Sequence, residues 1–301
     1  MRVADVDSAH AVFLEEERLA SGDVVSSGVM LLTNRECPWR CVMCDLWKDM
    51  LAESAPEGAV ARQVESAVRG WAEAGKLPVQ VKLYNSGSFF DPAAIPPGDD
   101  AAIARHLGFA RHVVVESHPL LVGERAVRLR DRLAGTLEVA LGLETAHPEV
   151  LEKLNKKFDL AQFARAAERL AAARIALRAF LLVNPPFLDP ALGVAWAIKS
   201  AAFAFDCGAS AVVLIPTRAG NGAMERLRAA GEWTPPTLAA LEAAQTGALA
   251  LGRGRVFSDT WGLEGFAACP LCFSARRDRL ERQNRTQQVE PEVGCAACGS
   301  G

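Results

Sequence analysis

The sequence has no run approaching the ~18 consecutive apolar residues that a membrane-spanning helix requires. Its opening stretch, MRVADVDSAHAVFLEEERLA, is acidic where a secretory leader would be basic. Both absences lead to the expectation of a cytoplasmic protein with no membrane partner. A net positive charge is lacking too. The formal net charge is -3 and the pI is near 6.0, so no overall field draws the chain to nucleic acid or anionic lipid, and any such partner must be met by a local patch. Cysteines scattered in the manner of a disulfide framework are lacking too. Seven of the eight cysteines fall into three tight groups, at 37/41/44, 269/272 and 295/298. In a reducing compartment such groups mean metal or catalysis. The remaining one, Cys207 in FAFDCGAS, is expected at the end of a helix as a small buried hydrophobe.

What is present is an ordinary globular composition, 50% hydrophobic and 23% charged over 301 residues, enough for one large domain with an appendage. From about residue 28 a β-branched run, a loop and an amphipathic helix alternate. The runs GVMLLT (28–33), VQVKLY (79–84), HVVVES (112–117), TLEVALGL (136–143), IALRAFLLV (175–183) and SAVVLIP (210–216) read as six strands. Between them, VARQVESAVRGWAEAG puts Val60, Val64, Ala67, Val68 and Trp71 on one helical stripe, and DLAQFARAAERL opens with a capping pair, Asp159 and Gln162. Strands separated by helices imply an α/β fold with a parallel sheet, either open and doubly wound or curled into a partial barrel. The expected organisation is an N-terminal helical segment at 1–25, a core at 26–254 and a Cys-rich extension at 255–301. Either form of sheet puts chemistry at the strand C-termini. There the sequence offers three cysteines, then SGS, ESHP, GLET, VNPP and PTRAGNG.

Cys37, Cys41 and Cys44 are spaced C-x3-C-x2-C, and no second pair nearby completes a zinc knuckle. Three thiolates can instead hold a [4Fe-4S] cluster with one iron open to a substrate. This loop after the first strand of a βα repeat resembles the radical S-adenosylmethionine (SAM) superfamily over roughly residues 25–250. The resemblance implies a partial (β/α)6 TIM-like barrel and an enzyme in which SAM chelates the open iron. An electron then cleaves SAM to a 5′-deoxyadenosyl radical that abstracts hydrogen. It also implies an electron donor such as flavodoxin or ferredoxin. Met43 stands where the superfamily commonly has an aromatic residue. Ser86, Gly87 and Ser88 occupy the place of the stretch that binds the SAM amino group, and Gly87 would let the backbone approach closely. Glu144 and Thr145 resemble the segment that meets the ribose hydroxyls, although they could equally cap the helix that follows. Arg178 interrupts an apolar strand and is expected to meet a carboxylate, that of SAM or of Glu144. Asn184 and Asn221, with Glu116 and His118, are further candidates at the same rim.

In the extension, Cys269, Cys272, Cys295 and Cys298 form C-x2-C, 22 residues, C-x2-C, a four-thiolate signature for zinc or a second iron-sulfur cluster. Between the pairs, SARRDRLERQNR carries Arg276, Arg277, Arg279, Arg282 and Arg285. Such a patch either contacts RNA phosphates or forms a solvated helix face. KLYNSGSFFD, VVVESHP, LGLETAHPEVLEKLNK and LIPTRAGNGAMERL are similar to the group that includes the radical subunit of archaeosine synthase, near the Elongator catalytic subunit. That likeness implies a modified tRNA base as substrate and C–N bond cleavage. A radical SAM enzyme of small molecules and a non-catalytic zinc-binding interaction protein are the alternatives.

Overall fold

Eight strands join into one sheet in strict chain order: β1 (Ala11–Arg18), β2 (Val24–Leu32), β3 (Gln80–Asn85), β4 (His112–Ser117), β5 (Thr136–Glu144), β6 (Ala176–Val183), β7 (Ala211–Pro216) and β8 (Arg255–Ser258). This is a computed structural model, and it describes residues 5–299. β1 runs antiparallel to β2, and every later pairing is parallel. The crossovers are helical: α1 (Ala59–Glu73), α2 (Asp100–His106), α3 (Glu124–Arg132), α4 (Pro148–Lys153), α5 (Leu160–Ala172), α6 (Gly193–Asp206), α7 (Ala223–Ala229) and α8 (Leu238–Leu249). α9 (Pro270–Thr286) follows the last strand. No helix among the described residues is long and apolar enough to cross a membrane.

The six runs read from the sequence are β2 to β7, shifted by a few residues at their ends. On α1 four of the five expected stripe residues are buried, Val60 and Val64 fully so, and Val68 is half-buried. α5 begins with the expected capping box, Asp159 Oδ1 accepting from the Gln162 amide at 2.7 Å and Gln162 Oε1 accepting from the Asp159 amide at 2.8 Å.

Two expectations are corrected. Residues 11–18 form a strand rather than a helix. EEER has good helix propensity, but at period two Glu15 and Glu17 fall on one face and both bind the buried Lys82. Inward salt links and the ladder to β2 override local preference. The boundary set at 255 falls at the start of β8, which pairs with β7 and belongs to the sheet. Four residues, RVFS, are too few to show an alternating pattern.

The sheet curls on itself, because side chains of β1, β3, β5, β6 and β8 meet inside it. At the N-terminal ends of the strands Arg178 binds Glu17 of β1 and Glu138 of β5, while Arg255 of β8 binds Glu138 at 2.9 Å. Tyr84 and Phe180 form the next layer with ring centroids 5.8 Å apart. Two residues further along β4 and β5 the inward positions become Glu116 and Gly142, at the rim. The interior is thus layered as charge, then aromatic and aliphatic packing, then a polar mouth.

Candidate active site

The mouth is a cavity of about 360 Å³ at the C-terminal ends of the strands. Cys37, Cys41 and Cys44 line it from the loop after β2, facing Gly87, Glu116, Glu144 and Lys156. The loop is irregular, so its carbonyls need partners from elsewhere. Asn155 Nδ2 donates to the carbonyls of Trp39 (2.9 Å) and Arg40 (3.2 Å). Asn221 Nδ2 donates to those of Val42 (2.6 Å) and Cys44 (3.2 Å), and the Val42 amide donates to the Leu154 carbonyl. Trp39, between the first two cysteines, stacks on His118 at 4.0 Å with a 7° interplanar angle. His118 Nδ1 accepts from the Leu120 amide and Nε2 donates to the Lys156 carbonyl. Burial, with Lys156 nearby, pushes its pKa down to about 4, so the ring is neutral.

β5 is irregular where it reaches the cavity. Its register shifts between Gly142 and Glu144, and Glu144 sits in the left-handed region at φ 65°. The bulge turns the carboxylate inward, where Oε1 lies 2.8 Å from Lys156 Nζ. A Cβ at Gly142 would stand 2.5 Å from Glu144 Oε1 and 2.7 Å from Lys156 Nζ, so the ion pair depends on a glycine there. Burial alone would depress the Lys156 ammonium, but Glu144 outweighs it and the group stays charged. Glu116 goes the other way: burial and the neighbouring Glu144 outweigh Lys156 and raise its carboxyl to about 8.

The cavity suits a cluster on two counts. It offers three soft donors on one loop. Gly87, at φ 107°, holds the backbone against the first of them, since a Cβ there would lie 3.2 Å from Cys37 Cβ and 3.4 Å from its sulfur. Behind Gly87 and off the cavity wall, Asn34 Oδ1, Asn85 Oδ1 and Ser86 Oγ are buried without a hydrogen-bond partner. Burial raises all three thiols, Cys44 to about 12, so uptake of a cationic centre must displace their protons.

The other expected residues divide clearly. Ser86, Ser88, Thr145 and Asn184 are buried but are not part of the cavity wall. Ser88 Oγ pairs with Ser117 Oγ at 2.9 Å, and Thr145 Oγ1 accepts from the His147 amide. The Asn184 carbonyl accepts from Trp233 Nε1. Arg178 does not meet Glu144. It is the third residue of β6, at the far end of the barrel, and both its carboxylate partners lie in the charge layer. Glu144 takes Lys156 instead of a capping role. Sequence reasoning missed Lys156, whose signal was faint: one lysine of the pair in LNKK, following a helix. It also left Asn155 unremarked and gave Asn221 a rim role, where the structure uses both to hold the loop.

The tail brings all four of its cysteines together. Their sulfurs lie within 4.8 Å of one another, and among the described residues they are the one group of potential metal ligands that converges so closely. Two of the five arginines in the expected basic patch are taken up by packing. Arg276 binds Glu242 of α8, and Arg279, nearly fully buried, donates to the carbonyls of Glu290 and Pro291.

No family model matches this chain. An uncharacterized protein of Methanocaldococcus jannaschii is 24% identical over 96% of this chain and 84% of its own length. Archaeosine synthase subunit beta of Methanosarcina acetivorans is 26% identical over 89% of this chain and 81% of its own. Among solved structures, a radical SAM methyltransferase from Sphaerobacter thermophilus superposes with a TM-score of 0.56, covering 82% of this chain and 73% of that one at 15% identity. An archaeal Elp3 of Methanocaldococcus infernus superposes at 0.55, covering 73% of this chain and 58% of that one at 12% identity. The fold is that of the radical SAM enzymes, and the resemblance first carried by the cysteine loop extends over the barrel.

Proposed function

We propose that this chain is a radical SAM enzyme whose substrate is a modified base of tRNA, and that it acts with a second subunit and an external electron donor such as flavodoxin or ferredoxin. The observation that carries the reading is the rim cavity, where three loop thiols share one wall with a buried lysine–carboxylate pair. Cys37, Cys41 and Cys44 would hold a [4Fe-4S] cluster. With SAM bound, such a cluster supplies reductive cleavage to a hydrogen-abstracting 5′-deoxyadenosyl group.

The chain's own residues then bind and orient. Lys156, held charged in the cavity, would meet the SAM carboxylate. It holds Oε1 of Glu144, and Oε2 would accept from the ribose hydroxyls. Glu116, neutral below pH of about 8, can donate one hydrogen bond into the cavity and keeps a second negative charge away from Glu144. The apolar walls Phe180, Leu182 and Ile215 exclude water from the reacting group.

The substrate class rests on likeness to archaeosine synthase subunit beta, whose name also implies a partner subunit. Its test is turnover of SAM by the reduced enzyme on tRNA carrying a lysine-modified deazaguanine, with the RNA analysed by mass spectrometry. A new amidine in the RNA is the expected product. SAM consumption with unaltered tRNA, in the presence of the partner subunit, would assign the enzyme to a small molecule.

A further inference from the structure

The sheet of this barrel has two edges, β1 and β8, and α9 packs against both. On β8 it does more than cover apolar surface. The Val256 amide donates to Gln287 Oε1 at 2.6 Å, and Gln287 Nε2 returns a bond to the Val256 carbonyl at 2.9 Å. Two residues along, the Ser258 amide donates to Asn284 Oδ1 at 2.8 Å, and Asn284 Nδ2 donates to the Ser258 carbonyl at 2.9 Å. Two side-chain amides thereby reproduce the paired ladder of a ninth strand, closing an edge that would otherwise template aggregation. On the β1 side, Arg18 donates to the Arg285 carbonyl.

α9 is held at two further points. Arg279 and Gln283 grip the returning chain at Glu290 and Pro291. At the start of the helix, Cys269 and Cys272 meet Cys295 and Cys298, with the Cys272 and Cys298 sulfurs 3.8 Å apart. That separation is the edge of a tetrahedron with arms of about 2.3 Å, the zinc–thiolate bond, which gives about 3.8 Å. A [4Fe-4S] cluster binds each thiolate to a different iron and a [2Fe-2S] cluster binds them as two pairs on two irons; both spread the four sulfurs more widely than the mutual 4.8 Å found here. Four thiolates around a divalent ion leave net negative charge, and Arg276 lies beside Cys272 to offset it.

We propose that the four tail cysteines bind one zinc ion, and that this zinc fastens α9 across the open β8 edge of the barrel. The claim stands independently of the rim chemistry. It takes the metal as structural, so the segment's hold on β8 depends on metal occupancy.

The test uses the full chain with Cys37, Cys41 and Cys44 replaced by Ala, so that bound metal reports on the tail alone. One zinc per chain with no iron or sulfide is expected, and cobalt substitution should give the absorption of a tetrahedral thiolate site. Iron and sulfide retained there, or no metal with four alkylatable thiols in folded protein, would overturn the assignment. Amide exchange at Val256 and Ser258 reads the fastening. Chelating the zinc should speed it by at least about tenfold while β3 to β6 stay protected. Unchanged exchange after zinc loss would refute the strap. Should the zinc-free chain unfold wholesale, the Asn284→Ala/Gln287→Ala variant must expose the same two amides while zinc remains bound. Continued protection in that variant would equally defeat the proposal.

Discussion

Arg178 is an arginine in an apolar run, and the sequence marked it as costly to bury but pointed to the wrong partner, a SAM carboxylate or Glu144. At 1% exposure it is held by Glu17 and Glu138, which come from strands 161 and 40 residues away. One of those strands had been read as helix, so the partner was invisible. Arg178→Met leaves Glu17 with Lys82 and Glu138 with Arg255 as their remaining close partners and should destabilise the fold by up to about 3–5 kcal/mol in thermal or denaturant unfolding. The rim cluster of the surviving folded fraction should be unaffected. The same layer sets an acid limit. Burial would raise the Glu17 carboxyl, but Arg178 and Lys82 hold it well below its usual value, and Arg178 and Arg255 lower that of Glu138. With folded pKa values depressed, their contribution is complete above the unfolded carboxylate range near about 4.3 and is lost as pH falls through the folded values. Unfolding free energy should therefore decline below about pH 5, and Glu17→Gln should flatten that decline. At the opposite end, Lys156→Met should weaken SAM binding by about tenfold to a hundredfold, the loss of one charge-assisted contact at about 1.5–3 kcal/mol, with iron content unchanged. Equal SAM affinity in an iron-replete variant would return Lys156 to a purely structural pairing with Glu144.

At the level of elements, β2 to β7 were legible as β-branched runs, and α1 and α5 by the spacing of their apolar stripes and, for α5, its capping pair. β4 matches its sequence reading residue for residue. β1 and β8 were hidden for separate reasons, one by helix-favouring charges and the other by brevity. The cysteine loop was legible in its ligands and illegible in its supports, since Asn155 and Asn221 reach it from 115 and 179 residues away. Together these two amides bind four carbonyls of an otherwise unladdered segment. Asn155→Ala/Asn221→Ala should lower cluster occupancy and speed cluster loss on exposure to chelator, with little change in global melting. Wild-type cluster retention in this variant would show that the loop holds its shape unaided.

Across the whole molecule, charge closes the bottom of the barrel, the rings of Tyr84 and Phe180 pack in the middle, and the top opens into a cavity whose walls come from seven separate segments. Sequence placed the chemistry at that end by the strand-terminus rule alone, and the cavity holds Cys37, Cys41, Cys44, Gly87 and Glu144 as expected. The central claim is that the three loop thiols hold a cluster that cleaves SAM. Its most direct measurement is 5′-deoxyadenosine formed from SAM by the anaerobically reconstituted, dithionite-reduced chain, set beside Cys41→Ala. The account predicts a brown protein that releases 5′-deoxyadenosine and a Cys41→Ala variant that releases none. A colourless protein that carries zinc at Cys37, Cys41 and Cys44 and leaves SAM intact would contradict it.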